Sequence, residues 1–133
     1  MYYDRVLIDT LVGKTLKSVV VNEDNDEIKF TTTKGKSYIM YHDQDCCEDV
    51  SIDEIIGDLD DLVGEPILDA RMETNSDKPK RNERDEDSWT WTFYIIATIK
   101  GTVTLRWYGT SNGFYSEGVS FRETENDNSN NHG

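Results

Sequence analysis

The sequence predicts an α+β fold made of two pseudo-repeats, each a short helix plus an antiparallel β-meander, sharing one core. Three observations lead there. The first is a helical apolar stripe, because Ile55, Ile56, Leu59, Leu62 and Val63 recur at the spacings of one helix face. Ser51 with Glu54 three places on reads as a capping box, and Gly64 with Pro66 as the stop. The second is strict alternation of side chains along Ile28 to Thr33 and Ser88 to Ile99, the period of strands. The third is an internal echo. Leu11-Val12-Gly13 returns as Leu62-Val63-Gly64, and the offset that joins them also carries Leu16 to Ile67. Thr33-Lys34-Gly35-Lys36 returns as Ile99-Lys100-Gly101-Thr102, and Glu48-Asp49-Val50-Ser51-Ile52 as Glu117-Gly118-Val119-Ser120-Phe121, in the same order. A chain of 133 residues supplies one core rather than two. A single domain over 1–122 is expected, with repeat boundaries at 1–52 and 53–122.

In chain order, Asp4 to Val12 carries Val6, Leu7, Leu11 and Val12 on one face of a short helix that Gly13 ends. Leu16 to Val21 holds a β-branched run and reads as a strand. The polar turn Asn22 to Asp26 leads into Ile28 to Thr33, Lys34-Gly35 makes a hairpin, and Tyr38 to His42 returns. The helix from Ser51 opens the second copy, followed by a strand at Ile67 to Met72. Residues 74–88 are almost wholly polar, mix both signs of charge, and are expected to be a mobile insertion. In Ser88 to Ile99 one face takes Trp89, Trp91, Phe93, Ile95, Ala97 and Ile99, and the other Thr90, Thr92, Tyr94, Ile96 and Thr98. Lys100-Gly101 turns into a strand with Val103, Leu105 and Trp107 on one face, and the last strand falls near Phe114 to Phe121. The polar tail 123–133 buries nothing and is expected to be disordered.

The charge balance narrows the functions. With 27 acidic residues against 14 basic ones the chain carries −13, which disfavours nucleic acid and anionic membranes as partners and favours a cationic partner, a metal ion or simply solubility. Nothing in it reads as a secretory leader or membrane span, so a cytoplasmic setting is expected. Cys46 and Cys47 are adjacent, and neighbouring thiols close a disulfide only through a small ring, so reduced thiols are the default.

His42, Asp43, Asp45, Cys46, Cys47, Glu48 and Asp49 form the densest set of metal-ligand types in the chain. Their spacing is poor for zinc, and small loop cysteines are the plainer reading. A thiol nucleophile at Cys46 or Cys47 served by His42 lacks an orienting third group. Gly13-Lys14-Thr15 looks like the end of a phosphate-binding loop, but it lacks the upstream Gly and does not follow a strand. Tyr108, Asn112 and Tyr115 mark an aromatic turn, which the echo puts in the place equivalent to the His42 loop. Asp58, Asp60 and Asp61 lie on the predicted helix's solvent side.

The stretch YHDQDCCEDVSIDEIIGDLDDLVGEPI, together with SWTWTFYIIATIKG and RWYGTSNGFYSEGVSF, resembles a family of small uncharacterised proteins of bacteriophages and prophages, catalogued as a domain of unknown function. The resemblance runs from about Leu11 to Phe121 and implies a phage-related origin inside a bacterial host. It brings no activity, so a non-enzymatic role with no cofactor is expected. The first expectation is an acidic interaction protein that inhibits a basic host protein handling nucleic acid or defence. Its contacts would be Asp43, Asp45, Glu48, Asp49, Asp58, Asp60 and Asp61. The alternative is a binder of a nucleotide-like ligand through His42, Cys46, Cys47, Tyr108, Asn112 and Tyr115. A weaker alternative is metal binding in the His42 to Glu48 loop. Edge strands in each half leave a homodimer open.

Overall fold

A computed structural model of the protein describes residues 6–44, 47–75, 88–111 and 117–124. These residues fold almost entirely as β-structure, which overturns the α+β expectation and its helix in each repeat. The strands are β1 (Leu16–Val21), β2 (Glu27–Thr32), β3 (Ser37–Tyr41), β4 (Asp49–Ile56), β5 (Asp69–Asn75), β6 (Ser88–Thr98), β7 (Gly101–Ser111) and β8 (Ser120–Glu123). Single 3-10 turns, Ile8–Leu11 and Leu59–Leu62, stand where helices were expected.

The reason lies in the three-residue spacings. A 3-10 turn stacks residue i over i+3, so one turn is enough to aim Ile8 and Leu11, or Leu59 and Leu62, at the core. Ile52 and Ile55 have the same spacing but belong to β4, whose register shifts between Ile52 and Glu54. One extra residue in a strand changes the phase of alternation, so Val50, Ile52 and Ile55 all pack on the core. The shift in β1 between Leu16 and Ser18 does the same for Leu16, Val19 and Val21. Ser51 and Glu54 form no capping box. Ser51 pairs with Tyr108 in the ladder, and Glu54 accepts from Arg106.

The strands form two antiparallel sheets, ordered β1-β2-β3-β8 and β4-β7-β6-β5. A 3-10 turn followed by four strands therefore occurs twice along the chain, and each sheet is a three-strand meander from one half closed by the last strand of the other. The halves meet at the two Leu-Val-Gly segments. Gly13 N–H donates to Ile67 O at 2.8 Å, and Gly64 N–H donates to Leu16 O at 2.9 Å. Each bond maps onto the other under the offset seen in the sequence, and the Thr15–Pro66 bridge lies between them. Gly13 and Gly64 both have a left-handed φ, +87° and +92°, which side chains other than Gly adopt with strain.

One apolar core lies between the sheets. Phe30, Tyr38 and Met40 come from one side and Ile96, Val103, Leu105 and Trp107 from the other. Trp107 is fully buried, and its indole N–H meets Met40 Sδ at 3.3 Å. In β6 the inward face is Thr92, Tyr94, Ile96 and Thr98, leaving Trp91 and Phe93 half-buried outside. The strand β8 reaches Glu123, and Thr124 N–H donates to Ser37 O at 2.9 Å, so the ordered chain enters the predicted tail. Most of the expected insertion, 76–87, and tail residues 125–133 lie outside the described residues. Among those described, no helix is long and apolar enough to cross a membrane.

Candidate functional site

The chain crosses from the first sheet to the second through residues 42–48, and two polar side chains are buried there. His42 Nε2 lies 2.7 Å from Glu48 Oε2, with the side chains 3% and 0% exposed. The other ring nitrogen, Nδ1, lies 2.7 Å from Gly118 O. A carbonyl oxygen only accepts, so Nδ1 carries a hydrogen, and a second hydrogen must lie between Nε2 and the carboxylate. The pair is either imidazolium with carboxylate or imidazole with carboxylic acid. Gln44 Nε2 donates to Glu48 O at 2.8 Å and fastens the same loop. With both ring nitrogens engaged, His42 is a strap between this crossing and the segment before β8, and no ring nitrogen is left over for a substrate.

The second crossing carries a buried carboxylate too. Glu117, two places before Val119 as Glu48 is before Val50, is 7% exposed. Thr90 Oγ1 donates to its Oε1 at 2.9 Å and Ser111 Oγ to its Oε2 at 2.5 Å. Gly109 makes room for it, since a Cβ there would stand 2.8 Å from Glu117 O and 2.9 Å from Val50 Cγ2. The sequence reading passed over Glu117, Thr90 and Ser111. The Glu48–Glu117 echo was the available signal, as each glutamate stands two residues before a valine that packs on the core, and alternation puts both on that side.

The remaining predicted residues separate into groups. Cys47 is exposed and disulfide-bonded rather than a free thiol, which leaves it no thiolate to attack a substrate or hold a metal. Cys46, the only other cysteine, and Asp45, Asn112 and Tyr115 lie outside the described residues. Tyr108 packs on Trp91 with ring centroids 4.4 Å apart. Among the described residues no group of three His, Cys, Asp or Glu side chains is placed to hold a metal ion.

The predicted acidic contacts fall at opposite ends of the edge strand β4. Asp43 and Asp49 are exposed at its start, whereas Asp58, Asp60 and Asp61 lie beyond its end, about 25 Å away at roughly 3.3 Å per residue. Asp58 caps the second 3-10 turn by accepting from Asp60 N–H at 3.0 Å. Glu48, being buried, contributes nothing to this surface. The gap is filled by residues the sequence reading left out. Asp53 and Glu54 are exposed in β4, although both accept from Arg106 at 2.7 Å. The β1–β2 turn docks beside them, its Asn25 O accepting from Ile52 N–H at 2.7 Å, and it brings the exposed Glu23, Asp24 and Asp26. One acidic rim thus runs the length of β4.

Residues 9–121 match the model of a family described as Domain of unknown function (DUF7448). No curated protein and no solved structure matches the chain.

Proposed function

The chain belongs to the DUF7448 family, and from that premise we propose that it is a non-enzymatic interaction protein whose acidic β4 rim engages a basic face of another protein. The observation that carries this reading is the continuity of the rim: Asp49, Glu23, Asp24, Asp26, Asp58 and Asp60 are exposed along one sheet edge, and Arg106 offsets only Asp53 and Glu54. Such an edge attracts Lys and Arg side chains, repels nucleic acid and anionic lipid, and speeds encounter most at low salt. The setting we propose, from the resemblance to phage and prophage proteins, is the cytoplasm of a bacterial host, with a nucleic-acid-handling or defence protein as the partner and inhibition as the outcome.

The test is a pull-down from bacterial lysate with the tagged chain and with a Glu23→Gln, Asp24→Asn, Asp49→Asn variant. A basic protein retained by the first, lost by the second and released at about 1 M salt, where screening acts within roughly 3 Å, supports the reading. A partner that binds both forms equally, or that salt does not release, sinks it.

A further inference from the structure

Among the described residues, a concentration of positive charge stands against the acidic rim. A pocket of about 370 Å³ opens between the loop 13–15 and the β2–β3 turn, lined by residues 13–15, 32–34 and Lys36. A backbone bond from Thr33 N–H to Thr15 O, 2.9 Å, holds the two segments side by side. Three lysines therefore share one concavity in a chain of net charge −13.

Their engagements differ in a useful way. The Lys14 ammonium donates to Thr10 O at 2.9 Å, which uses one of its three hydrogens. Lys34 makes no hydrogen bond or ion pair among the described residues, nor does the hydroxyl of Thr15 or Thr33. Lys36 pairs with Glu123 at 3.1 Å, both half-exposed, and that hydrogen bond holds the Lys36 ammonium above the usual lysine range. A Cβ added at Gly13 would meet nothing within 4 Å, so the backbone on that side is open to an incoming group.

The other half of the molecule supplies a control. Its equivalent loop has the same left-handed Gly, at Gly64, and its hairpin is a tighter two-residue turn in which Thr98 pairs with Gly101 across Ile99-Lys100, whereas the β2–β3 turn is longer and has Gly35 left-handed. There Glu65 replaces Lys14, Thr102 replaces Lys36, and Lys100 donates to Val63 O at 2.8 Å. The Asp61 carboxylate crowds Gly101, 2.6 Å from where its Cβ would be. The fold closes this joint without a lysine cluster, so the cluster on the first side is not a requirement of the fold.

We propose that the pocket between the Gly13 loop and the β2–β3 turn binds a phosphorylated small molecule, with Lys14, Lys34 and Lys36 as its cations and Glu123 as the carboxylate it displaces. Phosphate is favoured over a carboxylate because three ammonium groups and the nearby hydroxyls suit a group with close to two negative charges and several acceptor oxygens, whereas a carboxylate carries one charge. The volume lies within the ordinary range of about 300–1,000 Å³ for small-molecule sites. Acidic groups elsewhere oppose the ligand weakly, being screened beyond about 8 Å at physiological salt.

Calorimetric titration of the full chain with pyrophosphate and with AMP tests this. Saturable one-to-one binding should weaken about tenfold or more in Lys34→Ala and in Lys14→Ala, a loss of about 1.4 kcal/mol or more. Glu123→Gln, which frees Lys36, should strengthen it several-fold, a sign that a merely structural role for Glu123 does not give. Lys100→Ala, at the equivalent turn, should leave it unchanged. Unchanged melting of each unliganded variant excludes unfolding as the cause. No binding of either probe at millimolar concentration, or equal weakening by Lys100→Ala and Lys34→Ala, overturns the proposal. Binding of a phosphoserine peptide where both small probes fail overturns the small-molecule assignment.

Discussion

Glu48 and Glu117 hold equivalent places at the two crossings between sheets, and both are buried, but different chemistry satisfies them. Glu48 faces an imidazole in a pair that excludes water, with the ring's second nitrogen tied to Gly118 O. Glu117 is met by two hydroxyls, from Thr90 and Ser111. The backbone plan asks only that the crossing carboxylate find partners, and each half answers from its own side chains. The difference is one of cost when broken, because removing a partner from the buried His42–Glu48 pair strands an ionisable group in the interior, whereas removing the carboxylate from two hydroxyls leaves neutral groups.

The comparison is broken most forcefully at the first crossing. His42→Ala is expected to lose about 3–5 kcal/mol of unfolding free energy, and Glu117→Ala about 1–3 kcal/mol, both measured by urea denaturation. Equal losses would remove the distinction drawn between the crossings.

Tyr94 tests a tie between the meander and the second crossing. It reaches from β6 toward Val119 O at 3.4 Å, and burial pushes its phenol up to about 12 from the usual 10. A folded-state value above the unfolded one means that its contribution is complete below pH 10 and is lost as pH rises toward 12. Wild-type stability should fall by about 2–3 kcal/mol across that window through this group, and Tyr94→Phe should flatten that part of the fall.

Gly109→Ala places a methyl against Glu117 O and Val50, so it should cost about 1–3 kcal/mol. The smallest effect sharpens the symmetry itself. Gly13→Ala and Gly64→Ala each force a residue with Cβ into a left-handed φ where no atom crowds it, so both should cost about 1–2 kcal/mol, and by the same amount. Thermal melts of the two variants side by side check this.

Much of the strand content was legible. Leu16 to Val21 was read with its limits, and Ser88 to Ile99 to within one residue, because alternation and β-branching act locally. The Leu-Val-Gly echo marked the two loops where the halves meet, since both place a left-handed Gly there. The helix at Ser51 was misread because a bulged strand and a helix both place apolar side chains three apart. At the candidate site, His42 and Glu48 were singled out for the right loop but for open chemistry, whereas the fold buries them against each other. Glu23, Asp24 and Asp26 looked like an ordinary turn until Asn25 docked on Ile52.

By itself the sequence determined the charge, the turns, the alternating strands and the repetition, all of which depend on a residue and its near neighbours. The tertiary structure decided that β4 joins β7 and β8 joins β3, so that each half completes the other's sheet. It also decided which carboxylates are buried and which form a rim, and it gathered three lysines from two segments into one pocket. Ladder hydrogen bonds between strands far apart in the chain set these features, and a one-residue bulge resets which side chains face inward. The pairing leaves no mark on local periodicity, and the bulge leaves one that reads as a helix.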